Sequence, residues 1–194
     1  NYWMHNGFVN IDNVKMSKSL GNFITVHDAL KTIDGQVLRF FFATQHYRKP
    51  INFTEKAVRD AETNLKYLKN TYEQPFTGEV DPADLQSFVD KFVAAMDEDI
   101  NAANGITVVF ELAKWINSGH YNQDVKDALT KMLEVFGVVF VEEVLDADIE
   151  ALIAERQEAR AKKDFARADA IRDELAAQGI KLLDTKEGVR WTRD

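Results

Sequence analysis

Lys15-Met16-Ser17-Lys18-Ser19-Leu20-Gly21-Asn22-Phe23 is the stretch from which the rest of the chain can be placed. Two lysines three apart sit in a short Ser-rich loop with a glycine just behind them. Ammonium groups on flexible stems act as movable point charges, so such a loop can bring two charges and two hydroxyls to a polyphosphate. The glycine lets the backbone turn afterwards. By spacing alone the pattern also fits a solvated turn. Before it, Gly7 to Lys15 alternates apolar and polar residues and predicts a short hairpin closing near Asp12-Asn13, with the loop at its exit. After it, Thr25 with Asp28 three residues on is a capping-box pattern, and Val26, Ala29, Leu30 and Ile33 follow at helical spacing.

Further along, Asp34-Gly35 breaks that helix and a second begins. Val37, Leu38, Phe40, Phe41 and Phe42 carry it to about Gln45, and three consecutive phenylalanines require burial. His46-Tyr47-Arg48-Lys49-Pro50-Ile51-Asn52-Phe53 reads as a polar linker ending in Thr54 as an N-cap. Arg48 and Lys49 form a basic patch that suits either RNA or plain solvent, and His46 reads as a structural hydrogen-bonder.

Four amphipathic helices follow, over Thr54–Tyr72, Asp81–Met96, Asn101–Ile116 and Val125–Phe140, joined by short polar breaks. This is the pattern of an up-and-down antiparallel bundle. The acidic run Asp97-Glu98-Asp99 reads as a helix-end charge cluster, with a cation site as the alternative. Beyond Asp146 the chain becomes Ala-rich and highly charged. Lys162-Lys163-Asp164 interrupts a helix, and Asp164 caps another with Phe165, Ala168, Ile171 and Leu175 facing inward. Gly179 stands at the C′ position. Ile180–Asp184 and Val189–Thr192 alternate as a closing hairpin. The expected fold is mainly α: a short hairpin and loop in 1–54, a helical bundle in 55–146 and a small α+β domain in 147–194.

The 194 residues carry a net charge of −8, with 45% hydrophobic and 29% charged residues and no cysteine. That composition belongs to an ordinary soluble protein and supplies neither disulfides nor thiolate metal ligands. No apolar run approaches the roughly 18 residues that span a bilayer, which makes the expected setting cytoplasmic. Residues 1–55 hold 6 basic and 4 acidic side chains, 56–147 hold 8 and 17, and 148–194 hold 10 and 11. The acid is therefore concentrated in the bundle, and both ends can approach a phosphate backbone. A start at Asn1-Tyr2-Trp3, without Met and within an aromatic cluster, reads as a piece of something longer.

Lys15–Ser19 resembles the second signature of class I aminoacyl-tRNA synthetases, and the chain as a whole is similar to the cysteinyl-tRNA synthetase family. The resemblance is carried by Trp3-Met4-His5, the loop with Gly21-Asn22-Phe23, Leu38-Arg39-Phe40-Phe41 and His46-Tyr47-Arg48. Asp164-Phe165-Ala166-Arg167-Ala168-Asp169, Ile171-Arg172-Asp173 and Gly188-Val189-Arg190-Trp191 continue it. It implies an enzyme that activates cysteine with ATP and passes it to tRNA(Cys). No His-Ile-Gly-His-like element occurs in this sequence, so the resemblance places the chain in the C-terminal half, inactive alone. It implies Lys15 and Lys18 as catalytic residues and Lys15, Met16, Ser17 and Lys18 as ATP-binding, with Lys18 carrying the larger share. It implies Arg160, Asp169 and Asp184 as anticodon contacts, to which Arg48 is added from the basic patch. Zinc belongs to the complete protein, with no ligand in this chain, and the expected state is a monomer. Phe165 could stack on a base or lie in the core. A non-catalytic tRNA-binding module of the same fold is the alternative.

Overall fold

The computed structural model describes residues 1–141, 147–185 and 188–193, with the side chains of 147, 183–185, 188, 190, 192 and 193 outside the description. Two compact units divide the chain, Asn1–Phe140 and Val141–Asp194.

The first unit opens with the expected hairpin. Strands β1 (Val9–Ile11) and β2 (Val14–Lys15) pair antiparallel, Ile11 opposite Val14. Asp12 and Asn13 both adopt positive φ, as a two-residue hairpin turn requires, and Asp and Asn tolerate it. A single 3-10 turn over Lys18–Leu20 then leads into α1 (Val26–Ala29). The Thr25 cap forms as expected: its hydroxyl accepts from the Asp28 amide at 3.0 Å and donates to the Asp28 carboxylate at 2.6 Å. The helix itself is one turn, shorter than the spacing suggests. Only Ala29 is buried, while Val26 and Leu30 are exposed.

Asp34 caps α2 (Gly35–Ala43), accepting from the amides of Gln36 and Val37. This helix buries Leu38, Phe40 and Phe41. The stretch expected as a linker contains a strand, β3 (Ile51–Phe53), parallel to β1 in a sheet of order β2-β1-β3. The apolar-polar-apolar triplet behind Pro50 is too short to signal a strand by itself. It needs β1 already in place.

Four helices follow: α3 (Glu55–Tyr72), α4 (Pro82–Asp97), α5 (Ala102–Asn117) and α6 (Gln123–Val135). Their N-caps are Thr54, Asp81, Asn101 and Asn122, each accepting a backbone N–H with its side-chain oxygen. Central α5 touches α2, α3, α4 and α6, and its Val109, Leu112 and Ala113 have no exposed surface. Gly105 permits the crossing, because a Cβ there would lie 2.8 Å from the Met96 sulfur. Helix α6 stops at Val135 rather than Phe140, since Gly137 adopts φ +68° under the Arg39 side chain. The chain after it turns back: Val138 is buried, and the Val139 amide donates to Gln36 Oε1 at 2.8 Å.

In the second unit α7 (Ala147–Ala161) and α8 (Phe165–Ala177) pack on each other, and α8 packs on β4 (Ile180–Thr185). Strand β4 pairs antiparallel with β5 (Gly188–Arg193), Leu182 opposite Trp191. The core is Ile149, Ile171, Leu175 and Ile180, with Leu152, Ile153, Leu182 and Trp191 against it. One inward expectation is corrected: Phe165 is 62% exposed. It is the first residue of α8, directly behind the Asp164 cap, and the buried face of the helix begins only at Ala168.

Candidate functional site

The lysine loop is held by its own backbone and by the side chains of Asn22, Ser17 and Ser19. Asn22 reaches back across it: Oδ1 accepts from the Ser17 amide at 2.8 Å and Nδ2 donates to the Lys15 carbonyl at 3.3 Å. Ser17 caps the 3-10 turn by accepting from the Ser19 amide at 3.3 Å, and the two hydroxyls lie 2.7 Å apart. Gly21 closes the turn in the left-handed region, φ +70°, donating to the Lys18 carbonyl. The Met16 amide donates to Val9 and so continues from the sheet.

Both lysines are exposed. Lys15 Nζ lies 4.3 Å from the centre of the Phe8 ring and Lys18 Nζ 5.3 Å from that of Phe23. Contacts with ring faces at this range orient an ammonium without neutralising it. Met16 and Ser17 are half-buried at the base of the loop. The structure thus brings Lys15, Met16, Ser17 and Lys18 together as one surface element.

Arg48 lies elsewhere in the same unit, and its fork is engaged. Nε donates to Asp99 Oδ2 at 2.6 Å and Nη2 to Asp99 Oδ1 at 2.9 Å, while the Tyr47 hydroxyl donates to Oδ1 at 2.6 Å. These bonds, Arg48 first, hold the Asp99 carboxyl well below the usual carboxylate range; the same contact raises the Tyr47 hydroxyl and the Arg48 guanidinium. Nη1 remains to Arg48 for a phosphate. His46 accepts from the Arg48 amide and stacks on Tyr47, a structural role. The run at Asp97–Asp99 is therefore a charge cluster in which Asp99 serves a protein cation. Among the described residues no group of three or more His, Asp or Glu is placed to hold a metal.

In the second unit Arg160 and Asp169 are exposed on α7 and α8. Asp169 pairs with Arg172 at 3.1 Å, a one-turn surface contact. Asp184 belongs to β4 opposite Val189, and its side chain lies outside the described residues. Phe165, expected inward, joins this exposed set.

Two residues that matter here went unread as structural parts of the site. Asn22 closes the lysine loop and Asp99 anchors Tyr47 and Arg48. Asparagine directly behind a glycine turn is a type that bonds local backbone, which is a usable signal for Asn22. The Asp99 contact spans 51 residues and has no local signal.

The fold of 68% of this chain superposes with TM-score 0.51 on 20% of a solved LeuRS from Agrobacterium radiobacter K84 agnB2, captured in a ternary complex with tRNA and LeuAMS. At 18% identity this likeness speaks to the fold alone. Family descriptions match in chain order: "tRNA synthetases class I (C) catalytic domain" over residues 1–63, "DALR domain" over 91–142 and "Cysteinyl-tRNA ligase anticodon binding domain" over 142–191. Along all 194 residues the chain is 84% identical to the cysteine–tRNA ligase of Streptococcus pneumoniae serotype 4. It belongs to the cysteine–tRNA ligase family. The corresponding ligases of Streptococcus mutans serotype c and Streptococcus thermophilus are 80% and 75% identical over the same length. The chain spans 43% of the length of these members of the family. Among the described residues no helix is long and apolar enough to cross a membrane.

Proposed function

We propose that this chain supplies the ATP-side lysine loop and the tRNA-binding part of a cysteine–tRNA ligase. In that reaction the cysteine carboxylate attacks the α-phosphorus of ATP, pyrophosphate leaves, and the cysteinyl group of the adenylate passes to tRNA(Cys). Negative charge grows on the departing pyrophosphate. A lysine aimed there is worth more in the transition state than before it. Lys18 carries the larger share and Lys15 the smaller, with the Met16 and Ser17 backbone against the phosphates. The observation that carries this reading is the loop itself, a braced backbone presenting two exposed ammonium groups.

The three-part organisation, 1–54, 55–146 and 147–194, assigns the readout of tRNA to the last part. There Arg160, Asp169 and Asp184 would bond unstacked base edges, and exposed Phe165 would offer a stacking face. Arg48 contributes at most its remaining nitrogen to the RNA backbone. Cysteine binding and any zinc belong to the complete ligase, which we place in the cytoplasm as a monomer. The non-catalytic alternative gives the exposed lysine pair no purpose.

The test is Lys18→Ala in the complete ligase. Cysteine-dependent ATP–pyrophosphate exchange should fall on the order of a hundredfold, the loss typical for one transition-state contact, with tRNA binding retained. Unchanged exchange overturns the reading. Arg160→Ala or Asp169→Ala should weaken aminoacylation through tRNA while leaving exchange intact.

A further inference from the structure

We propose that Asp99, at the turn between α4 and α5, is a positioning residue for the lysine loop, acting through Tyr47 and Arg48. The proposal rests on the assignment of that loop to ATP chemistry, and it adds a residue from the helical bundle to its support.

Asp99 and Ile100 are consecutive non-glycine residues in the left-handed region, φ +60° and +51°. Such a conformation has an energetic cost and persists where the surroundings hold it. Here it turns the Asp99 carboxylate toward the 46–48 segment, where it accepts the three hydrogen bonds from Arg48 and Tyr47 already described. It also places Ile100 with Tyr47, Gly7 and Val9 on the wall of a cleft of about 400 Å³.

From Tyr47 the chain of contacts runs straight to the loop. The Tyr47 carbonyl accepts from the Gly7 amide at 2.7 Å, and the Phe8 carbonyl accepts from the Ile51 amide at 2.8 Å. These bonds fix the entry of β1 against β3. Gly7 lets the two backbones approach there, since a Cβ on it would meet the Lys49 carbonyl oxygen. Farther along the pair, Asn52 bonds both the amide and the side chain of Asn13 at the hairpin turn. The Val9 carbonyl then accepts from the Met16 amide, inside the loop. Between Asp99 and Met16 there are thus three hydrogen-bonded steps, the first through the Tyr47 side chain and the other two through backbone. Releasing the 46–48 segment loosens β1, and with it the base from which Lys15 and Lys18 project.

Asp99→Asn separates the charge from the backbone, because asparagine tolerates the left-handed conformation well but lacks the second carboxylate oxygen for the Arg48 fork. In the complete ligase two readouts apply. The first is limited trypsin cleavage after Lys15 and Lys18, scored against cleavage after Lys56 and Lys114 in α3 and α5. The variant should raise the loop-to-helix ratio roughly 3- to 10-fold, the range of coupling along a connected network. The second is pyrophosphate exchange. Its kcat should fall by a similar factor with the KM for cysteine unchanged, and in a Lys18→Ala background Asp99→Asn should cost less than it does alone, leaving only the Lys15 share.

An unchanged cleavage ratio overturns the proposal, as does a general rise at all four lysines, which marks plain destabilisation. Multiplying losses in the double variant overturn it as well. If Lys18→Ala leaves exchange unaffected, the ATP assignment of the loop fails instead, and the cleavage ratio alone decides on Asp99.

Discussion

Asn22→Ala in the complete ligase removes the side chain that ties Lys15 and Ser17 to the far end of the lysine loop. The bond from the Ser17 amide at 2.8 Å has full-strength geometry, and the bond to the Lys15 carbonyl at 3.3 Å is a weak one. Taking about 1 kcal/mol for the first and about 0.5 for the second, the loop loses about 1.5 kcal/mol of preference for its closed form. At 1.36 kcal/mol per decade this is roughly a tenfold drop in kcat/KM for ATP. Asn22→Asp keeps the acceptor for Ser17 but loses the donor for Lys15 and sets a carboxylate beside the lysines, so it should also fall below wild type. Cysteine-dependent ATP–pyrophosphate exchange at varied ATP is the assay. Because Asn22 acts by placing Lys18, Asn22→Ala should cost little in a Lys18→Ala background. Wild-type kcat and KM for ATP in Asn22→Ala would refute the reasoning.

Three further outcomes are expected. Tyr121 is fully buried in the α5–α6 connection and donates from its hydroxyl to the Tyr72 carbonyl at 2.7 Å. Tyr121→Phe leaves that carbonyl unsatisfied and should cost about 1–2 kcal/mol in urea denaturation. Phe165→Ala should leave the melting temperature unchanged and weaken tRNA binding roughly tenfold, as loss of one base–aromatic stack does; equal affinity would return Phe165 to a plain surface role. The Asp99 carboxyl is depressed by Arg48 and Tyr47, so its contribution is present above the ordinary carboxylate value near 3.8 and is lost as pH falls through its own lower value. The Asp99 carboxyl carbon resonance should therefore stay at its ionised position from about pH 7 to about pH 4 and move through protonation only in stronger acid. A protonation step centred between those limits would contradict the contact.

What was legible in the sequence follows the range of the interactions. The hairpin turn at Asp12-Asn13, the Thr25 and Asp164 caps and the α3–α5 stripes are local, and each forms as its residues predict. Strand β3 was hidden because three residues carry no period, and its partner β1 lies about 40 residues away. Helix α6 was drawn too long because apolar spacing runs on through Phe136 to Phe140, while Gly137 between them sets the stop. Tyr121 was missed because it is a loop residue in sequence and a core residue in space, tied by a two-way backbone pairing to Thr77. In the candidate site the two lysines stand out by type and spacing, while the role proposed for them comes from the family resemblance. Their brace at Asn22 is short-range and could have been read, whereas the anchor at Asp99 could not.

Under the proposed reading, the bracing of the loop has a consequence for its charge. Several other lysines in this chain sit beside carboxylates: Lys31 with Asp28, Lys56 with Asp60, Lys162 with Glu158. Those charges are already answered in the resting protein. The groups around Lys15 and Lys18 are of another kind, neutral amides, hydroxyls and two aromatic rings. They fix the backbone and limit the wandering of the ammonium groups without cancelling them. A carboxylate brace would compete with the departing pyrophosphate for the same charge. The net charge of −8 sharpens the point. With acid concentrated in residues 56–147, two lysines kept clear of it need a structural reason, and a support built from uncharged groups supplies one.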